Sequence, residues 1–214
     1  MAKALPVSRA ARKQARPDTR RGPRREMIIA AALEEFSDCG FAAARLEDVA
    51  ARAGVAKGTI YLYFSDKETL FQELVRTMLS PVVRAIEIAP LGERPMREIA
   101  EVIVHVFVTE IYATRRRDVL RLVMTEGPRF PKLAEFYYRE VIARVLPVLQ
   151  ARLRTAVKQG ELGNDALARF PQLLVAPALM AVIWGSLFER FAPLDVAELM
   201  RAHLDVLFGV RSTP

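Results

Sequence analysis

Apolar side chains recur three and four residues apart along most of this chain, the spacing of one face of an α-helix. The 10 glycines and 13 prolines fall largely between those runs, and no stretch alternates with a strand's period of two. An all-α chain is the expectation. The first run carries Ile28, Ile29, Ala32, Leu33 and Phe36 and stops at Gly40. A short piece with Leu46, Val49 and Ala50 breaks at Gly54, and a second spans about Lys57 to Tyr63. Asp66 is placed to cap a longer helix with Leu70, Phe71, Leu74 and Met78, which Pro81 should kink or end. After the break at Ala89–Pro95, helices are expected over Met96–Ala113, Arg115–Glu126, Pro131–Gln159, Asp165–Phe191 and Asp195–Phe208. At 214 residues, 52% of them hydrophobic, the chain has material for one large or two small domains.

Charge is distributed unevenly. Residues 1–25 hold nine basic side chains and one acid, Asp18, leaving 23 basic and 24 acidic side chains in the rest. The formal charge of +7 is therefore an appendage on a near-neutral body, which suits a polyanionic partner met at one end. Residues 1–22, rich in Ala, Arg and Pro, read as a disordered basic arm. Two roles stay open for it: a solubilising tail, or an arm lying along phosphates or in a minor groove.

Several function classes find no support. Cys39 is the sole cysteine, His105 and His203 are far apart, and no His/Cys/Asp/Glu cluster has metal-ligand spacing. No nucleophile–base pair, paired carboxylates or phosphate loop appears, so no catalytic residue, metal or cofactor is expected and the chain does not read as an enzyme. The basic N-terminus lacks the apolar run of a signal peptide. The longest apolar stretch, Leu173–Phe188, falls short of the ~20 residues of a membrane span and carries Pro177, Gly185 and Ser186. A cytoplasmic location and no membrane partner are expected.

The two short pieces flanking Gly54 read as a helix-turn-helix, with the small Ala50 where they cross. Val55 and Ile60 supply the buried side of the second piece, which frees Lys57, Gly58, Thr59, Tyr61 and Tyr63 to face outward. A tip presenting Lys57, a bare Gly58 and Thr59 can enter a major groove. Tyr61, Tyr63 and Lys67 can donate to phosphates on either side.

Residues 26–72, above all Ala53–Leu70 (AGVAKGTIYLYFSDKETL), resemble the N-terminal domain of the TetR/AcrR family of bacterial regulators. The likeness includes FSDCGF at the end of the first helix, DVAARAGV in the second, and TIYLYF followed by DKE. Arg121–Val141 (RLVMTEGPRFPKLAEFYYREV) also resembles members of the family. The resemblance implies about nine helices: a three-helix DNA-binding domain over 23–72, after the arm at 1–22, and a ligand-binding and dimerisation domain over 73–214. It implies base or backbone contacts at Lys57, Gly58 and Thr59, and phosphate contacts at Tyr61, Tyr63 and Lys67. Two positions depart from the family. Ala44 and Arg45 stand where a Thr or Ser is usual, so Arg45 is assigned the missing phosphate contact, and Ala56 replaces the hydroxyl that caps the recognition helix.

The expected partners are double-stranded DNA with a palindromic operator, an unknown small-molecule effector, and a second copy of the chain. A homodimer through the last two helices is expected because their apolar faces exceed what one bundle needs, with Leu204 and Leu207 at the interface. For His105, Phe107, Phe136, Tyr137 and Trp184 two readings stay open, core packing or lining of the effector pocket. The function expected is a ligand-released transcriptional repressor. Its rival is a non-specific chromosome-binding protein using the arm alone, which predicts affinity independent of sequence.

Overall fold

The computed structural model describes residues 21–89 and 94–209, with only the backbone at Arg21. Most of the basic arm, at 1–20, and part of the break at 89–95 lie outside them. Helix α1 spans Arg21–Ala43, α2 Leu46–Arg52, α3 Lys57–Ile60 and α4 Lys67–Ile88. The body follows with α5 (Met96–Val106), whose end widens into a π-helical stretch at Phe107–Tyr112, and α6 (Arg116–Glu126). Helix α7 (Pro131–Tyr137) joins α8 (Ala143–Lys158) through a second π stretch, Tyr138–Ile142. The chain then forms α9 (Ala166–Arg169), α10 (Gln172–Phe188) and α11 (Val196–Phe208). No strand occurs among the described residues. The fold is all-α.

Helices α1 to α3 and the start of α4 enclose Ile28, Phe36, Phe41, Val49, Ile60, Leu70, Phe71 and Leu74, all essentially without solvent contact. Asp66 caps α4, its Oδ1 accepting from the Thr69 amide at 2.7 Å. Pro131 opens α7 as its first residue, where its missing N–H costs nothing. Helix α4 runs from the head into the body, so residues 72 and 73 fall inside one helix.

Three expectations need correction. Helix α1 begins at Arg21, two residues inside the expected arm. Of the two outcomes expected at Pro81, a kink or a helix end, the end is excluded, since α4 continues to Ile88. An interior proline costs roughly 3 kcal/mol, yet seven α4 side chains from Leu70 to Val83 are buried. In the turn before the proline, Arg116 Nε donates to the Met78 carbonyl at 2.7 Å. The helix expected over Asp165–Phe191 is two helices, α9 and α10, because the residue before a proline is pushed out of helical geometry. Phe170, preceding Pro171, has φ −126 and ψ 70. This break sets the single turn of α9 apart from the helix that follows.

Pro177 sits inside α10 and has no N–H for the carbonyl of Leu173, four residues back. His203 Nε2 on α11 donates to that carbonyl at 2.8 Å. A proline defect in one helix thus joins it to the next. His203→Ala should lower stability by about 1 kcal/mol, measured by urea unfolding. In a Pro177→Ala background the loss should shrink, since the substituted residue supplies the missing amide, and an equal loss in both backgrounds would rule out this coupling.

Candidate nucleic-acid interface

Gly54 sets the angle between α2 and α3. Its φ of 65 lies in the region where a side chain is strained. The Gly54 amide donates to the Ala51 carbonyl at 3.1 Å and the Val55 amide to the Ala50 carbonyl at 3.0 Å, the paired bonds that close a helix on a left-handed residue. Ala50 and Ile60 are buried where the helices cross. Arg45 and Ala56 flank α2 and α3 in extended conformations, and neither makes a side-chain cap bond. Arg45, Lys57, Gly58 and Tyr61 are exposed, while Thr59 and Tyr63 are partly buried.

Glu47 on α2 brings two of these residues together. Its Oε1 accepts from the Tyr61 hydroxyl at 2.9 Å and lies 3.2 Å from Lys57 Nζ. Its own backbone amide, Tyr61 and Lys57, in that order, hold the carboxyl down at about 2. A carboxyl depressed this way contributes its pairing fully above the ordinary range near 4.5 and loses it as pH falls through about 2. The same carboxylate pushes the Tyr61 phenol up.

Lys67 faces inward as well as outward. Its Nζ donates to the carbonyls of Phe41 and Ala42, each at 2.8 Å, and lies 4.8 Å from the centre of the Phe41 ring. An ammonium has three donors, so one remains for a phosphate. Lys67→Met should lower the stability of the protein by about 1.5–3 kcal/mol, the range for bonds to a charged group, as well as weakening DNA binding. A variant with unchanged melting temperature and weakened binding would show that the ammonium acts on DNA alone.

Residues 28–74 match the family model described as bacterial regulatory proteins, tetR family. Residues 96–205 match that of the AefR-like transcriptional repressor C-terminal domain, over half of the chain. The chain belongs to the TetR family. Members of the family bind DNA and respond to ligands, and this protein is a DNA-binding transcriptional regulator. It is 28% identical over 142 residues to the regulator YhgD of Bacillus subtilis, covering 64% of this chain and 71% of that one. It is 27% identical over 173 residues to the transcriptional repressor BepR of Brucella suis, covering 77% and 79%. Among solved structures, FadR of Bacillus subtilis in complex with stearoyl-CoA superposes with a TM-score of 0.70 at 21% identity, covering 87% of this chain and 99% of that one.

The five residues considered for a pocket in this TetR-family member lie on α5, the π stretch after it, α7 and α10. His105 is exposed on α5, so the core reading fails for it: it falls on the solvent side of a helix whose buried stripe is Met96, Ile99, Ala100 and Val104. Phe107 and Phe136 are buried. Burial pushes the Tyr137 phenol up to about 12. Trp184 Nε1 donates to the Ala192 carbonyl at 2.7 Å, closing the turn after α10. A groove of about 690 Å³ runs along α4 instead, lined by Arg76, Pro81, Arg84, Ala85, Ile88 and Arg144 among others. Arg76 links it to Phe136, its guanidinium carbon 4.9 Å from the centre of that ring. No described helix is long and apolar enough to cross a membrane, and no group of three His, Cys, Asp or Glu side chains able to hold a metal occurs among the described residues. Cys39 is exposed, and partial desolvation and the Glu35 carboxylate push its thiol up, away from a reactive thiolate.

Sequence reasoning missed Glu47. An acid in the first turn of a helix reads as favourable to the helix dipole, and its pairing with residues 10 and 14 positions ahead depends on the crossing angle set at Gly54.

Proposed function

We propose that this regulator is a cytoplasmic homodimeric repressor that reads a palindromic operator through α3 and leaves it when a small molecule binds the body. The observation supporting the DNA reading is the tip of exposed Lys57 and Gly58 with half-buried Thr59, presented by a glycine-closed turn. Lys57 and Thr59 supply donors for base edges, Gly58 admits close approach, and Arg45, Tyr63 and Lys67 supply phosphate contacts, whereas Tyr61 reaches a phosphate only by giving up its bond to Glu47. Selection from a randomised duplex pool tests it. The enriched sequence should be an inverted repeat with half-sites about one helical turn apart, and preference for it over a scrambled duplex should reach roughly 10³-fold or more. Equal affinity for every duplex would favour non-specific binding through the arm.

The dimer reading rests on α10. Leu173, Ala176, Met180, Ile183 and Leu187 are exposed and repeat at alternating steps of three and four, the spacing of a helix–helix seam. Phe191, 78% exposed, and Val206 on α11, 82% exposed, extend the apolar surface. Leu204 does not belong to it. It is buried with Val196 and Met200 on the face of α11 that packs on α5, so a charge there would strike the protomer's own core. Ile183→Asp with Leu187→Asp should give monomers by sedimentation velocity and reduce operator affinity by about 100-fold or more, through loss of the second half-site. A soluble dimer with intact affinity would exclude this interface.

The groove along α4 is the reading for the effector site. Arg76, Arg84 and Arg144 alternate with Glu73 and Glu140 beside the apolar Pro81, Ala85 and Ile88, a lining that suits an amphipathic ligand. Such a ligand would bear directly on the helix that connects the body to the head.

A further inference from the structure

We infer that Glu47 is a positioning residue for operator recognition: by holding Lys57 and Tyr61 on a single oxygen, it fixes where the base-facing cation can reach. The inference rests on the reading of α3 as the base-reading element and adds a residue of α2 to it.

A lysine ammonium is a compact point charge on a flexible four-carbon stem. Left unanchored it attracts any phosphate and adds affinity without sequence preference. The Lys57 side chain is 70% exposed, and the carboxylate of Glu47 is the acidic group paired with it. That carboxylate is itself held by the Tyr61 hydroxyl at 2.9 Å. Lys57 at the start of α3 and Tyr61 just past its end are therefore joined through α2. The two ends of α3 become parts of one assembly, so misplacing Tyr61 misplaces the base-facing Lys57. The arrangement also sets a negative charge near the DNA-facing surface, which lowers attraction to any duplex. The charge lowers affinity for every duplex alike, and the anchoring of Lys57 is what adds discrimination.

Glu47→Ala should bind scrambled duplex more tightly and show a steeper salt dependence, with preference for the selected inverted repeat falling about tenfold. Glu47→Gln keeps an acceptor for Tyr61 and removes the charge that holds Lys57, so its preference should fall about threefold. In a Lys57→Ala background, Glu47→Ala should produce no further loss of preference. That non-additivity is a readout that a purely structural role would not give, and circular dichroism melts confirm which variants are folded. Unchanged discrimination in a folded Glu47→Ala, or in Glu47→Gln should the alanine variant not fold, overturns the inference. If Lys57→Ala itself leaves discrimination intact, the base-reading role of α3 fails along with it. If Lys57→Ala abolishes preference and the Glu47 variants leave it untouched, only the positioning role of Glu47 is lost.

Discussion

The head and body of this regulator are fastened at Phe41. Its ring, without solvent contact, lies 5.3 Å from the ring of Phe36 on α1, 5.9 Å from Phe71 on α4 and 5.0 Å from Phe130 in the turn before α7. Such pairs are worth about 0.5–1.5 kcal/mol each beyond the area they bury. Gly40 makes the placement possible. Its backbone at φ 79 and ψ 160 turns the chain out of the first run of α1 and drives Phe41 inward. A side chain there would be strained and would also meet Glu126 Oε1 of α6 at 2.9 Å. Lys67 closes the arrangement by satisfying the carbonyls of Phe41 and Ala42 from the first turn of α4.

Around this apolar joint lies a shell of surface charge. Arg52 on α2 pairs with Glu35 at 3.0 Å and Asp38 at 2.9 Å on α1, and reaches Glu34 at 3.5 Å. Arg115, just before α6, reaches the same Glu34 at 3.7 Å and pairs with Asp118 at 2.8 Å. Exposed pairs of this kind contribute at most about 1 kcal/mol each and weaken with salt. The Arg52 pairs tie α2 to α1 within the head, and the Arg115–Glu34 contact reaches from body to head beside the aromatic cluster. The joint is therefore stiff in its core and adjustable at its rim.

The helical architecture is legible in the sequence because it follows from local chemistry: three-to-four spacing, the Asp66 cap, Pro131 opening a helix, glycines at Gly54 and Gly160 closing them. The family likeness is legible for the same reason, since TIYLYF and DKE lie within one short segment. What escapes depends on contacts between distant segments. Whether Pro81 breaks a helix turns on how much its neighbours bury and on a bond from Arg116. Which apolar face of α11 is inward turns on where α5 packs, so Leu204 reads as an interface residue when it belongs to the core. The exposure of His105 is hidden because one polar residue on a mostly apolar helix has no visible side until the stripe is located. Glu47 is invisible because its partners arrive through the crossing of two helices.

On the proposed reading of its groove, helix α4 sets the energetic terms on which an effector works. Its 22 residues form a rod about 33 Å long, anchored at one end to α1 by Lys67 and lined at the other by the groove ending at Ile88. A ligand that fits the groove equally well in both dispositions of the head shifts nothing, however tightly it binds. Moving the equilibrium from about 1:99 to 99:1 requires roughly 10⁴-fold tighter binding to the released state. The aromatic cluster at Phe41 opposes independent movement of the head, so the motion must carry α1, α4 and Phe130 together. The movable part of such a switch is the rim of ion pairs and the groove wall. The last third of α4, beyond Pro81, is where a missing backbone hydrogen bond makes that wall easiest to bend.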